Sequence, residues 1–65
     1  MFYRVHYDVD GREFIRDLFT KEVAEMELKF CKDKNLADGT PYTAKKISKV
    51  KESDYVGGKY LDGNT

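Results

Sequence analysis

Asp10-Gly11 sits between two runs of alternating aromatic and polar residues, and this arrangement constrains the chain more than any other feature of it. A two-residue type I′ turn needs positive φ at both central positions, which aspartate tolerates and glycine adopts freely, so residues 2–19 read as a β-hairpin. With Asp10-Gly11 as the loop, Val9 faces Arg12, Tyr7 faces Phe14, Val5 faces Arg16 and Tyr3 faces Leu18. The other side sets Asp8 against Glu13, His6 against Ile15, Arg4 against Asp17 and Phe2 against Phe19. The first side holds more large apolar groups and is assigned to the core. A one-residue slip would place Arg4 against Arg16, whereas this register sets Arg4 against Asp17, a mildly favourable cross-strand pair.

A helical period follows directly. Thr20 is a good N-cap, and Glu22 stands in the first turn where the helix dipole favours an acid. Lys32 and Lys34 suit a last turn, so the helix is expected over residues 20–34 with Asn35 or Gly39 as the stop. Its apolar residues, Val23, Ala24, Met26, Leu28, Phe30 and Cys31, spread over roughly 200° of the wheel, wider than one sheet-facing stripe needs. Glu27 and Lys34 interrupt that arc. A helix laid across the hairpin would bring Glu27 to Arg16 as a charge pair at the core margin.

Residues 42–51 read as a third strand in which Tyr42, Ala44 and Val50 share one face and Ile47 does not, unless a bulge near Lys45-Lys46 reconciles these positions. A second helix capped by Thr43, with Ala44, Ile47 and Val50 on its apolar side, is the alternative. The strand reading is preferred because an isolated hairpin is marginal and needs a third strand. The expected fold is therefore α+β: a three-stranded antiparallel sheet, ββαβ, in strand order 2-1-3 with one helix on one face. The expected core is Tyr3, Val5, Tyr7, Phe14, Leu18, Val23, Phe30 and Tyr42. Residues 1–51 would form this single domain. The Gly-rich, polar stretch 52–65 reads as a mobile tail.

At 65 residues there is room for one domain, and a chain this short buries only about 60% of its unfolded surface. Twelve basic residues balance twelve acidic ones, which removes any global charge argument for nucleic acid or an anionic membrane. Cys31 is alone, so no intrachain disulfide forms and no multi-cysteine metal site exists. No apolar run approaches the ~18 residues of a membrane span, and the expected location is the cytoplasm, where a lone cysteine stays reduced.

Signals for catalysis are nearly absent. His6 and Cys31 are the one conceivable nucleophile–base pair, but they lie on different elements with nothing to orient them. No EF-hand spacing and no phosphate loop is present. The chain is thus expected to be no enzyme, with no metal, no cofactor and no small-molecule substrate. Two surfaces remain as partner sites. Phe2, Ile15 and Phe19, rimmed by Arg4, lie on the sheet face that a single helix leaves uncovered, which suits a protein partner or a homodimer. Lys45, Lys46, Lys49 and Lys51 are unopposed by any acid in residues 39–51. Such a strip reads as a lysine-protected sheet edge, a dock for an acidic protein surface, or a phosphate-contacting strip on nucleic acid.

A tight hairpin, one acidic-to-basic helix and a closing lysine-rich strand, in that order over residues 2–51, resemble small phage and prophage host-modulating proteins. The order is similar to that of the coliphage-type RNA polymerase inhibitors, although this chain has no tryptophan. The resemblance is one of architecture and implies a binding protein that blocks or modulates a host or phage protein by contact in the bacterial cytoplasm.

Overall fold

The computed structural model describes residues 1–61, and they form an α+β fold with one helix on an open antiparallel sheet. Strand β1 (Phe2–Val9) and β2 (Arg12–Leu18) are followed by helix α1 (Lys21–Phe30), a two-residue strand β3 (Lys34–Asn35), β4 (Pro41–Val50) and β5 (Gly58–Tyr60). The order across the sheet is β3-β4-β1-β2-β5. The central three strands are those expected, in the expected order, but the sheet has five strands and not three.

The hairpin takes the register that the cross-strand chemistry favours, from Tyr3 opposite Leu18 to Val9 opposite Arg12. Asp10 and Gly11 have φ of 54° and 85°, and the Gly11 N–H donates to Asp8 Oδ1 at 2.8 Å. Residues 42–50 lie within strand β4 rather than a second helix. Along it, Tyr7 faces Ala44 and His6 faces Lys46, so Lys45 is the extra residue of a bulge. That bulge lets Tyr42, Ala44 and Ile47 all reach the helix-side core and turns Val50 to the far face, opposite Phe2.

Thr20 caps α1, its hydroxyl accepting from the Val23 N–H at 3.2 Å. The helix ends at Phe30 and does not run on to Lys34. The Cys31 carbonyl accepts instead from the Ala44 N–H at 2.6 Å, and Asp33 takes φ of 54°. This backbone capture draws the chain off the helix axis and lays β3 against Pro41 and Tyr42. Lys34 and Asn35 thus serve a sheet edge rather than a helix terminus.

The helix is also rotated from its expected setting. Val5, Tyr7, Val9, Ala24 and Ala44 are buried, with Tyr3, Phe14, Leu18, Leu28, Cys31, Tyr42 and Ile47 packed around them. Val23 and Phe30, expected in the core, are exposed. Ala24 and Ala44, both almost fully enclosed, let the helix approach closely. The Tyr7 hydroxyl, donating to Glu27 Oε1 at 2.6 Å, holds the Glu27 side of the wide apolar arc against the sheet. Arg16 Nη1 adds a looser contact to the same oxygen at 3.9 Å, the pairing that the pattern suggested. Phe30→Ala is therefore expected to change stability by less than about 1 kcal/mol, since a half-exposed ring leaves no core cavity. A melting curve close to that of the parent checks this, whereas a loss of several kcal/mol would place Phe30 back in the core.

The largest departure lies beyond Val50. Residues 52–61 do not leave the domain as a free tail. They turn through a short 3-10 segment, Glu52–Asp54, and cross the sheet face opposite the helix. Arg4 donates to the Asp54 carbonyl at 2.9 Å, and the Val56 N–H donates to Asp17 Oδ2 at 2.9 Å. The Asp17 N–H donates to the Gly57 carbonyl at 2.7 Å, and β5 then pairs with residues 14–16 of β2. Gly58 permits the approach, because a Cβ there would lie 3.1 Å from the Phe14 ring. Ile15, Asp17 and Val50 are buried as a result. The rest of the expected tail, residues 62–65, lies outside the described residues.

Candidate functional site

The expected partner residues do not form one surface. Ile15 is 2% exposed and is enclosed by the C-terminal segment, so it is a core residue and not a surface anchor. Phe2 is half-buried and stacks on Phe19 and Tyr55 at centroid distances of 5.3 and 4.5 Å. Phe19 keeps an open ring, 76% exposed. Arg4 is held by Asp17 through two bonds, of 2.7 and 3.0 Å. Lys45, Lys46 and Lys49 are all exposed, yet they split between surfaces. Lys45 is the bulge residue, Lys46 lies opposite His6 on the far face, and Lys49 lies opposite Tyr3 on the helix side. Among the described residues, β4 has no strand on its outer side beyond Tyr42. Lysines on such an edge discourage further strand addition.

An apolar stripe that the helical pattern assigns to the interior stands on the surface. Val23, Met26 and Phe30 are 46, 57 and 56% exposed, and their i, i+3, i+7 spacing aligns them along one flank of α1. Phe19, four residues before Val23, stands at the N-terminal end of the helix. The helix rests on β1 and β4 and barely touches β2, so the outer half of this sheet face has no second helix. Phe14 and Tyr60 meet there edge to face at 4.8 Å, beside a cleft of about 250 Å³ that Glu27, Cys31 and Tyr42 also line.

At the base of that cleft Glu27 accepts from Tyr7 and also from Cys31 Sγ at 3.3 Å. Burial, reinforced by the neighbouring Glu27 carboxylate, pushes both the Tyr7 phenol and the Cys31 thiol above their ordinary values. Cys31 therefore stays protonated and unreactive. His6 lies on the opposite face of the sheet, which removes any His6–Cys31 pair.

On that opposite face a polar chain crosses three neighbouring strands. His6 Nδ1 lies 2.9 Å from Glu13 Oε2, and His6 Nε2 lies 2.8 Å from Ser48 Oγ. The imidazole is largely enclosed, with 16% of its side chain exposed. Next to it, Arg4 and Asp17 form the tightest ion pair among the described residues, the Asp17 side chain being wholly buried. Ser48 opens onto a cleft of about 480 Å³ bordered by Arg4, Lys51 and Lys59. Sequence reasoning missed this group. Glu13 is diagonal to His6 in the hairpin register and was legible, but Ser48 joins them only through the bulge. No cluster of three or more His, Cys, Asp or Glu side chains suited to a metal occurs among the described residues.

Compared with known proteins, the chain matches no family model, no curated protein and no solved structure. No helix among the described residues is long and apolar enough to cross a membrane.

Proposed function

We propose that this chain is a small protein-binding modulator, of phage or prophage type, that acts by contact with a host or phage protein through the exposed flank of α1. The carrying observation is the set Phe19, Val23, Met26 and Phe30, each 46% exposed or more, beside a sheet half that no helix covers. A 65-residue chain has few apolar side chains to spare from its core. Four large ones at the surface along one short segment fit an interface better than chance exposure. Aromatic and methionine anchors supply most interface energy, while rim charges mainly set on-rate and salt dependence. The lysines of β4 take that second role, since they are divided between the two faces rather than gathered into a phosphate-tracking strip.

The test pairs two variants in capture from a bacterial lysate through a photo-crosslinker placed beside the stripe. Met26→Glu with Phe30→Glu is expected to abolish the captured band, a loss of about 2–4 kcal/mol for two anchors, with an unchanged circular dichroism spectrum. Lys45→Glu with Lys49→Glu is expected only to weaken it and to alter its salt dependence. Capture unaffected by the stripe variant, or lost only in the lysine variant, would overturn the reading.

A further inference from the structure

We propose that Ser48 is an activated nucleophile, served by His6 as general base and by Glu13 as the group that orients His6, and that it accepts acyl groups from negatively charged esters. This lies on the face away from the α1 stripe and is independent of the binding role.

The reactive form is the neutral imidazole with its proton on Nδ1, donated to the Glu13 carboxylate at 2.9 Å. Nε2 is then left with a lone pair directed at the Ser48 hydroxyl, 2.8 Å away. Hydroxyl, imidazole and carboxylate in this order are the constellation that activates serine, and it is recognised by geometry rather than by order in the chain. Here the three groups come from β4, β1 and β2, neighbouring strands of one hydrogen-bonded sheet, so the sheet itself fixes their spacing. Such preorganisation is worth more on rigid elements than on loops.

The surroundings set the substrate class. Ser48 lines the far-face cleft together with the apolar Val50 and Val56 and the cationic Lys51 and Lys59. Arg4 is committed to Asp17, and Asp54 is the one acid in the lining among the described residues. An acyl chain with an apolar stem and an anionic end matches that lining.

In the step, Ser48 Oγ attacks the ester carbonyl carbon while its proton passes to His6 Nε2. The carbon–oxygen bond to the leaving group then breaks, and the departing oxygen takes that proton from His6. Water next attacks the acyl-serine, again giving its proton to His6, which returns it to Ser48 Oγ as the free acid leaves. Acylation outpaces this deacylation, so the acyl-serine accumulates.

The experiment incubates the full chain with mono-4-nitrophenyl succinate, quenches in acid and maps the succinyl group by peptide mass spectrometry. The expected result is succinyl on Ser48, with 4-nitrophenyl acetate reacting more slowly at the same position. Ser48→Ala is expected to abolish the burst of nitrophenolate, and Glu13→Gln, which keeps the side chain's shape, to slow labelling of Ser48 by about 10²–10⁴-fold. Amide hydrogen exchange matching the parent shows that the Glu13→Gln sheet is intact. Lys51→Glu with Lys59→Glu is expected to reverse the preference between succinate and acetate. Succinyl found only on lysines, or labelling of Ser48 as fast in Glu13→Gln as in the parent, would overturn the proposal and leave the three residues as a structural hydrogen-bond chain.

Discussion

Ile15→Glu is expected to leave the chain unfolded. The Ile15 side chain is 2% exposed, on a strand flanked by β1 and β5 and covered by the segment 52–61. Removing its aliphatic body alone would cost about 2–5 kcal/mol. A carboxylate in its place adds the penalty of a buried charge with no designed partner, several kcal/mol more before protonation relieves part of it. The nearest polar groups are already used, Arg4 by Asp17 and His6 by Glu13 and Ser48. The stability of a domain this small lies at or below about 5 kcal/mol, so the sum exceeds it. Circular dichroism should show no cooperative transition, while Phe19→Glu, at a ring open to solvent, should melt like the parent. A cooperative Ile15→Glu variant would mean that residues 52–61 do not cover this face.

Arg4→Ala comes next in size, at about 3–5 kcal/mol. The Asp17 side chain has no solvent exposure, and Arg4 supplies two of the hydrogen bonds that keep it ionised there. Without Arg4 the carboxylate retains the Val56 N–H but loses its countercharge. The same truncation releases the Asp54 carbonyl, so the C-terminal segment loosens together with the core. Replacing both partners, as Arg4→Leu with Asp17→Leu, should recover much of the loss, since an apolar pair leaves no buried charge behind.

The pair also fixes the acid response. The Arg4 hydrogen bond holds the Asp17 carboxyl below the usual carboxylate range, burial opposes this, and the Val56 N–H assists. A group whose pKa is lower folded than unfolded binds more protons unfolded, so its contribution is complete above the unfolded pKa and is lost as pH falls through the folded one. Urea midpoints should therefore hold steady at neutral pH and begin to fall below about pH 4. Arg4→Ala should remove most of that slope. An unchanged acid slope in Arg4→Ala would assign it to other carboxylates.

Several elements are legible in the amino-acid order itself. The hairpin, its register, the Thr20 cap and the bulge at Lys45 all follow from interactions between residues near in sequence or directly opposite across a ladder. Asp10-Gly11 dictates the turn, the turn dictates which side chains face each other, and the uneven spacing of Tyr42, Ala44 and Ile47 requires an extra residue. The charges of Arg16 and Glu27 likewise point to their meeting, because neither belongs alone in an apolar setting.

Tertiary structure decided the rest, for reasons no local pattern contains. An apolar arc of roughly 200° allows several helix rotations of similar burial, and the Tyr7–Glu27 bond, between residues twenty apart, selects one. The helix stops at Phe30 because a strand amide from Ala44 claims the Cys31 carbonyl, not because its own sequence forbids another turn. Residues 52–61 are too polar and glycine-rich to announce a strand. They are ordered by backbone groups of Asp54, Val56 and Gly57 meeting Arg4 and Asp17 from about forty to fifty residues away. Covering Ile15 and exposing Phe30 are both consequences of such long-range polar bonds. Hydrophobic patterning alone ranks residues by what they would bury, whereas the buried charge pair and the captured carbonyl determine which of them are actually enclosed.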